Sequence, residues 1–170
     1  MFLAHYYRSP LNYTDQATTD AKTALANIDE FRAKLDLITR TKSSFTVSKI
    51  ETKTINNYER GLLATLDDDF NTPEALGVIF SFINDFNKKI WQLDKKSAAI
   101  LDKWLQTKLA LLKLAIAKPK IPPQITTLAK RRELFRGNKQ FIQSDRLRKQ
   151  IEALGYTIED TPKGPLVLKT

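Results

Sequence analysis

Cysteine is absent from the 170 residues, which excludes disulfide staples, thiolate metal sites and cysteine nucleophiles. Histidine occurs once, as His5; a single imidazole beside a terminus supports neither a zinc site nor a Ser-His-Asp hydrolase. Glycine occurs five times, and no stretch containing it reads as a phosphate-cradling loop, a dinucleotide fingerprint or a nucleophile elbow. No ATP site is recognisable, so the chain by itself is expected to be inactive, with no catalytic residues, no metal and no cofactor of its own. Long apolar runs are missing too. No stretch approaches ~20 residues, and "MFLAHYYRSP" reaches tyrosine and arginine within eight residues, unlike a leader. The expectation is a soluble, cytoplasmic protein with no membrane partner.

What is present is a 42% apolar composition, enough to bury a core, and a net charge of +9 that is unevenly spread. Residues 1–94 carry 11 Lys+Arg against 13 Asp+Glu, whereas residues 95–170 carry 17 against 6. The positive field therefore lies in the C-terminal half and points to a polyanionic partner, most often nucleic acid.

Apolar spacing predicts four helices. The first runs from Thr14 to Arg40, with Ala17, Ala21, Leu25, Ile28, Phe31, Leu35 and Ile38 on one face and Thr14 as cap. The second spans about Lys49 to Leu66, with Ile50, Ile55, Tyr58, Leu62 and Leu66 inward. "LDDDFNTPEALGVIF" then sets Asp67, Asp68 and Asp69 before a third helix. Thr72 reads as its N-cap, Pro73 as its first residue and Glu74 as a first-turn acid, with Leu76, Ile79, Ile83, Phe86 and Ile90 inward. The acids need no metal to explain them, since no Asp-x-Asp-x-Asp-Gly loop is present. A fourth helix fits Ser97 to Ala117, with Leu101, Trp104, Leu105, Leu112, Ala115 and Ile116 inward. Trp91 and Trp104 read as core fillers.

The fold class is mainly α: an antiparallel four-helix bundle over 14–117, a proline-rich linker over 118–123, and a small helical module with a C-terminal β-hairpin over 124–170. In that module "ITTLAKRRELFRGNK" reads as a helix stopped by Gly137 and Asn138. "FIQSDRLRKQIEALG" reads as another, with Leu147, Ile151 and Leu154 inward, and "YTIEDTPKGPLVL" as two strands around a turn.

Three stretches, "HYYRSPLNYTDQ", "LDDDFNTPEALGVIF" and "RRELFRGNKQFIQSDRLRKQIEALGYTIEDTPKG", together resemble in order and spacing the C-terminal region of bacterial cysteinyl-tRNA synthetases. The resemblance covers nearly the whole chain. It implies a tRNA-binding helical bundle of DALR type, an anticodon-binding module, and residues 1–13 as the remnant of a connection to a catalytic domain. Cysteine tRNA is then the expected partner, with no DNA. ATP and zinc are expected only in a catalytic half that is not in this sequence. That half could be a separate partner chain, so this chain would be a fragment, one half of a split enzyme, or a degenerate product.

Carried over residue by residue, the resemblance assigns anticodon reading to Arg136, Phe141, Asp145 and Asp160. Unstacked anticodon bases suit an aromatic platform, arginine donors and aspartate acceptors; for Phe141 a core role is the open alternative. Lys130, Arg131, Arg132, Lys139, Arg146, Arg148 and Lys149 are the expected phosphate contacts. Arg132, Arg136 and Lys139 share the spacing of one helix face. Two positions depart from the family pattern: Gly164 is followed by Pro165 and Leu166 instead of a Gly-Thr-x-Trp ending, and a Lys-Asp-aromatic triplet reads Lys139, Gln140, Phe141. The rival readings are a free-standing RNA-binding or regulatory protein, and a structural bundle that pairs with another subunit.

Overall fold

A computed structural model describes residues 2–10, 13–41, 52–114 and 121–169. The expected start of the second helix at Lys49, the inward positions Ile50, Ala115 and Ile116, and residues 118–120 of the linker lie outside the described residues.

The elements in chain order are α1 (Asp15–Arg40), α2 (Thr52–Asp67), α3 (Thr72–Asn87), α4 (Lys95–Leu111), α5 (Pro123–Gly137), α6 (Phe141–Ala153), β1 (Tyr156–Thr161) and β2 (Gly164–Lys169). Short 3-10 turns cover Phe2–Ala4 and Ile90–Gln92. The chain is mainly α, closed by one antiparallel hairpin. Among the described residues no helix is long and apolar enough to cross a membrane.

Thr14 caps α1 as its sequence suggests, accepting from the Ala17 N–H at 3.1 Å. Burial on α1 begins only at Ile28 and continues through Phe31, Leu35 and Ile38, while Leu25, expected inside, is 42% exposed. The reason is length: α1 has 26 residues where α2, α3 and α4 have 16, 16 and 17, so its first turns are left uncovered. Leu154 is a second such correction, exposed just past the end of α6.

Helices α2 and α3 form an antiparallel pair, with Gly61 facing Val78 and the Tyr58 hydroxyl donating to Asp85 at 2.5 Å. Their core joins α1 and α4 around Phe82, whose ring stacks on Trp104 at 4.1 Å and takes Phe31 and Tyr58 edge-on. Trp104 is a core residue, and its indole N–H donates to Glu59 at 2.8 Å. Glu59 also receives Lys108, which gives the buried ammonium a counterion. Arg32 and Asp102 make a second buried pair at 3.3 Å between α1 and α4.

The link before α3 differs from expectation. Its N-cap is Asn71, whose side-chain oxygen accepts from the Glu74 N–H at 3.3 Å and whose amide donates back to the Glu74 carboxylate at 2.9 Å. This reciprocal arrangement satisfies a first-turn donor, and it moves Thr72 into the helix. The acid run before it splits in function. Asp69 accepts from the hydroxyls of Tyr6 and Tyr7 and pairs with Arg8 at 3.3 Å, fastening the N-terminal segment to the bundle. Asp69 and Phe70 adopt left-handed backbone at φ 50 and 51 just past the end of α2, a conformation that costs on the order of 1–3 kcal/mol for each non-glycine residue. Backbone bonds close that turn, from the Phe70 N–H to the Leu66 carbonyl at 3.1 Å and from the Asn71 N–H to the Thr65 carbonyl at 3.0 Å.

Asn71→Ala is therefore expected to destabilise the protein by about 1 kcal/mol, and Thr72→Ala by less than about 0.5 kcal/mol. Denaturant midpoints of the two variants check this; the reverse order would return the cap to Thr72.

Candidate nucleic-acid interface

Helix α5 starts on Pro123, with Pro122 at its cap, because proline suits a first turn whose N–H groups are unpaired. One stripe of α5, Ile125, Ala129 and Arg132, turns inward at three-and-four spacing; Arg136 continues the same stripe one turn later. Helix α6 contributes Ser144, Leu147 and Ile151, and the hairpin contributes Ile158 to the same core. Asp160 lies two residues beyond Ile158, so it shares the face of β1 that looks toward the helices.

This periodicity brings a guanidinium and a carboxylate together. Arg132 is 1% exposed and grips Asp160 with both arms, Nη1 to Oδ1 at 2.6 Å and Nη2 to Oδ2 at 3.0 Å. Arg136 pairs with the same Oδ2 through its Nη2 at 3.3 Å. The bond from Arg132 holds the Asp160 carboxyl below the usual range against the opposing effect of burial, with the charges of Arg132, Arg136 and Arg148 adding to it. The same bond raises Arg132 above its ordinary value, with Asp145 and Glu133 also within electrostatic reach.

One sequence expectation changes here. Arg132 does not present itself to phosphate; it is the buried root of an ion pair, because an arginine on an otherwise apolar stripe must carry its counterion into the core with it. Asp160 is engaged by it: each of its oxygens accepts from Arg132, and Arg136 pairs with Oδ2 at 3.3 Å.

The remaining residues lie where an interface could use them. Phe141 is 56% exposed at the first residue of α6, which removes the core alternative. Asp145 follows it by four residues and shares its helix face, and Asp145 is exposed. Lys130, Arg131, Lys139, Arg146, Arg148 and Lys149 are also exposed. Arg131 leans over the Phe135 ring at 5.6 Å, and Arg148 donates to Glu152 at 2.9 Å. The residues brought together are thus Arg132, Arg136 and Asp160, with Asp145 and Arg148 in electrostatic range.

The sequence reading missed Leu134 and Ile142, which are 68% and 71% exposed beside the α5–α6 link. Leu134 falls two residues past Arg132, about 200° around the helix from the buried stripe, a signal that was available. The link itself turns on Lys139, in the left-handed region at φ 59, and the Gln140 N–H closes it on the Phe135 carbonyl at 2.8 Å.

The hairpin departures from the family pattern also find places. Pro165 stands opposite Asp160 in the strand register, and Leu166 is 3% exposed on the other face. Strand β2 lies against α1, and the Thr41 hydroxyl donates to the Lys163 carbonyl at 3.2 Å.

Comparison with known proteins gives a DALR domain over residues 63–116, which runs from α2 through α4. The whole chain is similar to curated cysteine–tRNA ligases. It is 29% identical to that of Chlamydia felis over 99% of this chain and 36% of the relative's length. Identity is 30% with that of Caldicellulosiruptor saccharolyticus, over 98% and 37%, and 31% with that of Chlamydia caviae, over 99% and 36%. The chain thus spans little more than a third of the relatives it matches, and the match includes the C-terminal pair of helices and hairpin.

A depressed carboxyl pKa contributes stability that is complete above the unfolded value near 3.9 and lost as pH falls through the folded one. The difference in melting temperature between the protein and Asp160→Asn should therefore stay constant from pH 7 to about pH 5, and shrink below about pH 4. A difference unchanged at pH 3 would show that the pair with Arg132 does not stabilise the fold.

Proposed function

From its relationship, over nearly all of its own length, to the cysteine–tRNA ligases, we propose that this chain is the tRNA-binding part of such a ligase. It docks cysteine tRNA and contacts the anticodon, so that the acceptor end is oriented at a distant reaction centre. The observation that carries the reading is the terminal surface. Arg136 stands half-exposed on Asp160, and Phe141 stands exposed at the end of the neighbouring helix, amid a surplus of solvent-facing cations.

Each group has a use there. An anticodon base leaves its stack in the bound state, and an exposed ring replaces the lost stacking partner. Arginine donates to the acceptors on a base edge. The exposed lysines and arginines neutralise phosphates and fix register without reading sequence. In this reading ATP and a cysteine-selecting zinc ion belong to a catalytic half. For such a zinc ion the residues here do not fit, since cysteine is absent and histidine is single.

Binding of cysteine tRNA and an anticodon-swapped version, measured at several salt concentrations, tests the proposal. Lys130→Gln with Arg131→Gln should weaken both RNAs alike and flatten the salt dependence by ~0.7–0.9 log units per lost contact. Arg136→Ala should instead cost roughly 1–3 kcal/mol, mainly on cysteine tRNA. Indifference to RNA at low salt would overturn the proposal and favour a structural bundle.

A further inference from the structure

Resting on the reading of this chain as part of a cysteine–tRNA ligase, we propose that the aromatic surface around Asp69 is a protein-docking site, and that its occupant is the portion of the ligase outside this chain. Among the described residues five aromatic side chains are exposed, and four of them, Phe2, Tyr7, Tyr13 and Phe70, lie in the N-terminal segment or the turn before α3. Asp69 is the hub. Its carboxylate accepts from Tyr6 and Tyr7 and pairs with Arg8, whose Nε donates to the Tyr7 hydroxyl at 2.8 Å and whose guanidinium lies 5.3 Å from the centre of that ring. Leu3 packs on the bundle core while its neighbour Phe2 stays in solvent, and Phe70 follows Asp69 directly. Phe31 meets Phe82 and Lys34 meets Asn87, so α1 and α3 run the same way. The uncovered first turns of α1, with Tyr13 just before them, therefore lie toward the Asp69 turn, and the hairpin meets α1 at its other end.

Charge says what kind of partner suits this surface. Residues 2–25 and 66–74 hold Asp15, Asp20, Asp67, Asp68, Asp69 and Glu74 against Arg8 and Lys22, and Arg8 is already bound to Asp69. Such an excess of acids repels the phosphates that the cations of α5 and α6 attract, so RNA is a poor occupant. Exposed aromatics rimmed by polar groups mark protein interfaces, where their rings supply contact area at the centre of the patch. Tyr7, held between Asp69 and Arg8, has little freedom left to lose on docking. The complement is a protein surface with apolar recesses and a cationic rim. A source for it follows from the relatives: this chain spans little more than a third of the ligases it matches, so most of such a ligase lies outside it. The acidic, aromatic surface then serves protein, and the basic one at the far end of α1 serves RNA.

Photo-crosslinking in the cells that make the protein decides this. Benzoylphenylalanine placed at Phe70 or at Phe2 should join, by peptide mass spectrometry after illumination, to ligase sequence outside the 170 residues, whether on a separate chain or on the same longer one. The same probe at Ile100, an exposed apolar residue of α4, should give no such adduct. Adducts of Phe70 only with RNA, with a second copy of this chain or with unrelated proteins would overturn the proposal, as would no adduct above the Ile100 control. Phe70→Ser removes no buried contact and should cut the yield from Phe2 roughly fivefold or more; an unchanged yield would overturn the proposal too. Failure here is distinct from failure of the RNA reading. A chain that binds cysteine tRNA but joins no ligase sequence loses the docking site and keeps its RNA surface, and one that joins ligase sequence but ignores tRNA does the reverse.

Discussion

A guanidinium that is 1% exposed is costly to bury without a counterion, and for Arg132 that counterion arrives from a strand 28 residues away. The pairing with Asp160 therefore decides how the hairpin meets α5. With it in place, Ile158 enters the core of Ile125, Ala129 and Ile151, and the strand cannot shift register by one residue without turning Asp160 away from the helix. A small core of this size has few apolar groups with which to specify its own arrangement. A two-armed arginine–carboxylate contact adds the directionality that apolar packing lacks.

The larger core solves the same problem with aromatics. Phe82, Trp104, Tyr58 and Phe31 interlock at its centre, and Glu59 reaches across to both Trp104 and Lys108. Helix α1 packs on α4 and touches β2 at its C-terminus, where the Thr41 hydroxyl meets the hairpin turn. At the opposite end of the chain Asp69 gathers Tyr6, Tyr7 and Arg8. The parts that hold position are thus acids, each anchored by a partner from a distant stretch of sequence.

That pattern explains which features could be read from sequence. Long periodic helices were legible because apolar spacing reports directly on burial: Ile28, Phe31, Leu35 and Ile38 are inside, and Thr14 caps α1. The hairpin and its turn were legible from strand-like alternation and the residues between. Acidic side chains were not, because an aspartate looks the same whether it caps a helix, reads a base or braces an arginine. Asp160 and Asp69 became distinguishable only when partners 28 and more than 60 residues away came into place. Asn71 and Thr72 are both good caps by composition, and the choice went to the residue whose amide also reaches Glu74. Arg132 could have been separated from Lys130 and Arg131, since it falls on the stripe of Ile125 and Ala129 and they do not.

The terminal surface of α5, α6 and β1 is the part of the molecule proposed to meet an anticodon. Chemical footprinting of cysteine tRNA in the presence of the full chain tests that claim most directly. The expected result is protection of the anticodon nucleotides, lost when Arg136 and Phe141 are both replaced by alanine while the fold is kept. Protection confined to other parts of the tRNA, or an anticodon footprint that survives the double replacement, would contradict it.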